Sequence, residues 1–123
     1  MDFVAGNLEV EVKEYKASRT DPNVIYYCIH IKKADGQTVI IEKRFSEFDD
    51  LNKRMKRLFG NLPVMPSKGF GKLKDPSQLE KRREDLDIYF KQMLARRDVF
   101  NNDFMRKFIQ IQNYAPETVL ITK

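Results

Sequence analysis

An α+β fold is predicted, with a three-stranded antiparallel β-meander followed by a helical subdomain. Three observations carry this expectation. The first third of the chain alternates apolar and polar residues with a period of two. From Phe48 onward the apolar residues recur at helical spacing. Between the first two helical patterns lies a stretch holding three prolines and two glycines, residues 62–76, which neither period accommodates.

The elements follow in order. Residues 7–16 set Leu8, Val10 and Val12 against Glu9, Glu11 and Lys13, the pattern of a half-buried strand. A polar loop with Asp21-Pro22 comes next. Residues 24–33 place Ile25, Tyr27, Ile29 and Ile31 on one face, and Asp35-Gly36 predicts a type I′ hairpin turn into a third strand over 37–45. Ser46-Glu47-Phe48-Asp49 reads as a capping box, opening a helix with Phe48, Leu51, Met55, Leu58 and Phe59 on its apolar stripe and Gly60 as its stop. Ser77-Gln78-Leu79-Glu80 reads as a second box, for a helix to about Arg97 that buries Leu79, Leu86, Phe90, Met93 and Leu94. Asn101 or Asn102 caps a short last helix, with Phe104, Phe108 and Ile109 expected inside. One domain over 1–115 is expected, with 116–123 a tail or linker.

Composition narrows the function. A chain of 123 residues can bury roughly two-thirds of its unfolded surface. No apolar run nears the ~18 residues a spanning helix needs. The opening MDFVAGNLEVEVKEY shows no signal-peptide pattern, and the lone Cys28 favours a reducing, cytoplasmic compartment. The net charge of +5 is unevenly placed: residues 43–97 hold 15 Lys and Arg against 8 Asp and Glu, while the remainder holds 8 against 10. That is either a set of solvated helix faces or a positive face for an anionic partner.

Catalysis finds little support. His30 and Cys28 share a strand face, a poor arrangement for a base and a nucleophile. Asp49, Asp50, Glu84, Asp85 and Asp87 lie among bases at intrahelical ion-pair spacing. No phosphate-binding glycine loop is present; Gly69-Phe70-Gly71 lacks the strand-to-helix context. No enzyme activity, cofactor or metal site is therefore expected. Arg44 at a strand end, Lys68 in the Pro-rich stretch and Arg82 on the second long helix are the informative bases. They converge at one concave site if the helices pack back on the sheet. Arg offers a planar fork for phosphate, Lys a point charge, and Phe45 a ring to stack on a polyol face. Each also has a bland reading as a surface ion pair.

Arg44-Phe45-Ser46-Glu47-Phe48, Leu62-Pro63-Val64-Met65-Pro66-Ser67-Lys68 and Leu79-Glu80-Lys81-Arg82-Arg83-Glu84-Asp85-Leu86, in that order, resemble the PX (Phox-homology) domain. The resemblance runs from about Leu8 to Ile111. It implies a phosphoinositide-binding, membrane-targeting module of sorting-nexin type, peripheral on endosomal or related membranes, with phosphatidylinositol 3-phosphate the commonest ligand of the family. By position, Arg44 matches the Arg that grips the 3-phosphate and Phe45 the aromatic beneath the inositol ring. Lys68 matches the Lys at the 1-phosphate, and Arg82 the Arg at the 4- and 5-hydroxyls. Three departures stand out: Lys43 replaces an Arg, Phe45 a Tyr, and Met65-Pro66-Ser67-Lys68 the usual Pro-Pro-x-Lys. Arg83, Lys72 and Lys74 are further bases nearby.

Phe70 and Leu73, flanked by Lys68, Lys72 and Lys74, form a candidate membrane-insertion loop, or else a packed loop. Two rival functions stand beside this reading. One is a protein-interaction module on the same scaffold with weak or different lipid specificity. The other is nucleic-acid binding, which is not expected, because few aromatics interleave with the bases. Protein partners would come through other domains.

Overall fold

The hydrophobic periodicities above become one sheet backed by helices. A computed structural model describes residues 4–5, 8–68 and 75–119. Its elements are β1 (Val4–Ala5), β2 (Leu8–Ala17), β3 (Ile25–Lys32), β4 (Thr38–Arg44), α1 (Phe45–Leu58), α2 (Pro76–Ala95), α3 (Arg97–Phe100), α4 (Asp103–Phe108) and a 3-10 turn, Ile111–Asn113. The sheet is antiparallel in the order β1-β2-β3-β4. The expected meander is present as β2, β3 and β4; the two-residue β1 adds an edge strand too short to show a period.

Register puts Val10 opposite Ile31, Val12 opposite Ile29, and Ile29 opposite Ile41. These residues share the face that packs on the helices, and all are buried. Phe48 of α1 meets Phe90 of α2 edge-on at 5.6 Å between ring centres, and Phe108 of α4 at 5.2 Å. Burying a ring of this size stabilises by roughly 1.5–3 kcal/mol, and an edge-to-face pair adds about 0.5–1.5 kcal/mol. Phe48 thus ties three helices over the sheet.

A bulge between Val12 and Glu14 shifts the β2–β3 register. Two α2 side chains reach Val12 there. Asp87 Oδ1 accepts from its N–H at 2.8 Å, and Arg83 donates to its carbonyl at 2.7 Å. A long acidic-basic helix is thereby pinned to the sheet by directional bonds as well as by its apolar stripe.

Several expectations are corrected. The β3–β4 turn is not type I′, since only Gly36 has positive φ (87°). Gly36 N–H donates to the Lys33 carbonyl, Lys33 N–H to Gln37, and the Asp35 carboxylate takes the Gln37 N–H, the three-residue hairpin with a left-handed glycine. Helix α1 starts at Phe45 rather than after Ser46; its box is closed by Glu47 Oε1 accepting the Arg44 N–H at 3.0 Å. Helix α2 is capped by Asp75, which accepts from Ser77 N–H, with Pro76 in the first turn. It ends at Ala95 because Arg96 is extended and its guanidinium holds the Gly60 carbonyl and the Asp98 carboxylate. Asn102 is the cap of α4. Leu58 and Phe104 face outward, at 53% and 43% exposure, and Arg54 covers the Phe104 ring. Phe108 is half-buried against the core. Tyr89, not assigned to the stripe by its spacing, is buried and donates to the buried Asn52. Arg106 donates to the Pro116 and Thr118 carbonyls, which holds the described start of the tail against α4.

Candidate functional site

The strand β4 runs into α1 with no intervening loop. Arg44 is therefore both the last strand residue and the residue before the first helical turn. Its N–H is taken by Glu47, which fixes the backbone at this corner. Its side chain is exposed and has no ion pair among the described residues. The pleat sends its neighbour Lys43 to the opposite face, where Nζ lies 4.8 Å from the Phe108 ring centre and 3.6 Å from Glu47. Of the basic pair, only Arg44 is available to an external anion.

Phe45 begins α1 and is half-buried against the core. Arg82, on the second turn of α2, lies over its ring with the guanidinium carbon 3.9 Å from the ring centre. The same guanidinium is 3.4 Å from the Ser67 carbonyl oxygen and donates to the Lys68 carbonyl. Arg82 thus joins three of the four expected site positions: it stacks on Phe45 and holds the Pro-rich loop at Lys68. A face of Phe45 assigned to a ligand ring is already covered by a cation.

Lys68 is exposed, and its Nζ lies 3.8 Å from Asp49 Oδ2, an oxygen that Lys53 also approaches at 3.1 Å. The carboxylate therefore competes with any anion for Lys68. Beside the Pro-rich loop, a groove of about 450 Å³ is lined by Pro66, Ser67, Ser77, Gln78, Lys81, Arg82 and Asp85. It reaches Arg82 but not Arg44 or Phe45. Arg83, expected as an extra base, is instead committed to Val12 and Glu80. Phe70, Lys72, Leu73 and Lys74 lie outside the described residues.

Tyr27 is a site neighbour that the periodicity read only as core. It is buried, and its hydroxyl meets no hydrogen-bond partner among the described residues. Burial pushes the phenol above its usual pKa, while the nearby Arg82 charge pulls it back. Elsewhere, His30 pairs with Glu14 at 3.0 Å, and burial pushes the Cys28 thiol up, away from the reactive thiolate. Among the described residues no group of three or more His, Cys, Asp or Glu could hold a metal ion. No described helix is long and apolar enough to cross a membrane.

The sequence profile of the PX domain matches residues 32–112. The chain belongs to the PX-domain family. Sorting nexin-16 of rat, mouse and human is 27% identical over 104 residues, 83% of this chain. The chain spans 29% of the length of those relatives. Two solved structures share the fold. A designed CISK-PX domain superposes with a TM-score of 0.72 at 22% identity, over 80% of this chain and 95% of its own. The mouse SNX19 PX domain, solved with a bound sulphate ion, gives 0.56 at 20% identity, over 83% and 94%. PX domains as a class are phosphoinositide-binding, membrane-targeting modules without an enzymatic role.

Proposed function

We propose that this PX domain recognises phosphatidylinositol 3-phosphate and directs its parent protein to endosomal membranes from the cytoplasmic side. The single observation that carries this reading is the Arg82 contact set. One guanidinium stacks on Phe45 and binds the Lys68 carbonyl, gathering residues separated by 37 positions at one corner of the fold. Arg44, exposed and without an acidic partner among the described residues, takes the 3-phosphate through its fork. Lys68 takes the 1-phosphate after leaving Asp49. Arg82 turns from the loop carbonyls to the 4- and 5-hydroxyls. Phe45 supplies the apolar floor. The sulphate bound by the mouse SNX19 PX domain supports an oxyanion-binding scaffold of this shape.

Selectivity follows from the donor set. An Arg spent on two hydroxyls leaves beside it Lys81, which Asp85 holds at 2.6 Å, so a phosphate at those positions meets no unpaired base on that helix turn. Phe70, Leu73, Lys72 and Lys74 then add depth and charge at the bilayer, each Lys contributing about 1 kcal/mol near an anionic surface. The test is a vesicle panel carrying each singly and multiply phosphorylated phosphoinositide. Preference for the 3-phosphate lipid is expected. Equal binding to all forms would refute the selectivity. Binding to none would leave the scaffold as a protein-interaction module.

A further inference from the structure

We infer that Asp85 is a specificity-determining residue: by pairing with Lys81 it withholds a base from the groove that a further ring phosphate would enter. The inference rests on the reading of Arg82 as the residue at the 4- and 5-hydroxyls, and it names what keeps those positions free of phosphate.

Arg82 borders two spaces. It stacks on Phe45 at the strand-to-helix corner, and it lines the open groove of about 450 Å³ together with Lys81 and Asp85. A phosphate carried on a hydroxyl that Arg82 holds is therefore directed toward that groove. Space does not exclude it, because the groove falls within the roughly 300–1,000 Å³ of small-ligand sites.

Charge is what excludes it. A phosphate monoester brings about −1.5 to −2 charges. The charged side chains lining the groove are Lys81, Arg82 and Asp85, and Arg82 is committed to the hydroxyls. Lys81 Nζ donates to Asp85 Oδ1 at 2.6 Å, so the carboxylate offsets its charge. Arg83, next on the helix, is committed to Val12 and Glu80. The Ser77 hydroxyl on the groove wall donates to Asp75. An incoming phosphate thus meets a carboxylate that repels it and also holds the nearest ammonium.

The pair contributes little to folding. Lys81 and Asp85 are four residues apart on α2, and the Lys81 side chain is 70% exposed. Base before acid is the less favourable order for helix stability, and pairs this exposed are weak. Breaking the pair should change the groove and leave the helix intact.

The experiment compares wild type, Asp85→Asn, Lys81→Gln and the double variant. Each is titrated at low ionic strength, where a surface charge is least screened. The probes are inositol 1,3-bisphosphate, inositol 1,3,4-trisphosphate and inositol 1,3,5-trisphosphate, and a melting curve accompanies each titration. Asp85→Asn is expected to hold its Tm. It is expected to tighten at least one trisphosphate about two- to fivefold beyond any change in the 1,3-bisphosphate, the range of a released surface pair. In the Lys81→Gln background that relative gain should vanish. An equal gain on all three probes would overturn the inference and leave Asp85 a general repulsive charge. So would no gain on either trisphosphate, which would mean that shape excludes the phosphate. A gain that survives Lys81→Gln would overturn it too, since the base released would not be Lys81. The wild type alone decides the underlying reading: binding none of the probes, or all three equally, would remove the headgroup selectivity itself and the role of Asp85 with it.

Discussion

The Arg82 guanidinium lies 3.9 Å from the centre of the Phe45 ring, so the first residue of α1 and the second turn of α2 meet face to face. A stack of this kind is worth about 0.5–1 kcal/mol where it is exposed. Its larger consequence is positional. The same side chain bonds the carbonyls of Ser67 and Lys68, so the Pro-rich loop is held to the helix by a residue that is itself a candidate ligand.

Replacing Arg44 should separate binding from folding. Its side chain is exposed and makes no ion pair among the described residues, while its structural bond uses the backbone N–H. Arg44→Gln is expected to leave Tm unchanged and to weaken headgroup binding at least tenfold, since charge-assisted bonds are worth roughly 1.5–3 kcal/mol each. Arg44→Lys should also bind less well, because a point charge cannot reproduce the fork. Wild-type affinity in Arg44→Gln by calorimetry would place the pocket elsewhere.

Asp49 holds Lys68 at 3.8 Å and Lys53 at 3.1 Å. Both lysines are exposed while Asp49 is half-buried, and a pair at the surface contributes about 0.2–1 kcal/mol. Asp49→Asn releases Lys68 and is expected to tighten binding to anionic vesicles, by up to about fivefold, more at low salt than at high. Weaker binding would mean that Asp49 aims Lys68 at the ligand instead of competing for it.

Phe70→Asp tests membrane insertion. The expected result is a large loss of vesicle binding with little change toward a soluble short-chain headgroup, because a buried Phe contributes roughly 1.5–3 kcal/mol only where there is a bilayer to enter. Equal losses in the two assays, or no loss in either, would mean that Phe70 packs within the protein.

Asp87 and Arg83 satisfy the two backbone groups of Val12 at the bulge. Asp87→Ala leaves the Val12 N–H without its acceptor and is expected to cost about 1–3 kcal/mol in denaturant unfolding. Headgroup affinity, corrected for the folded fraction, should not change. An Arg83 variant with intact stability and lost lipid binding would return Arg83 to the site.

Acid sensitivity has an assigned source. The Ser77 N–H and hydroxyl hold the Asp75 carboxyl below its ordinary value, and Arg96 does the same for Asp98. A depressed folded pKa gives stability that is present above the ordinary carboxylate value of about 3.9 and is lost as pH falls through the folded value. Asp75→Asn keeps a cap acceptor but cannot titrate. Its Tm should therefore fall less steeply than wild type below about pH 4. Parallel profiles would show that Asp75 contributes nothing to acid unfolding.

The sequence by itself determined the fold class, the order of elements and most of the core. Val10, Val12, Ile29 and Ile31 had to share a face because strand side chains alternate, and Leu86, Phe90 and Met93 had to share one because helical residues repeat near every fourth position. It also singled out Arg44, Phe45, Lys68 and Arg82, since a basic residue at a strand end beside an aromatic ring is a local pattern. Tertiary structure decided which bases are spoken for. Arg83 and Arg82 are adjacent in sequence, yet one is locked to Val12 and the other stacks on Phe45; a helix turns about 100° per residue, and only packing says what each direction meets. The same holds for Lys43 against Arg44, for the grip of Asp49 on Lys68, and for Tyr27. Its period marks it as core, and only the folded chain puts the Arg82 charge near its phenol. Periodicity is a one-dimensional signal of burial, whereas partner choice is a distance between residues far apart in the chain.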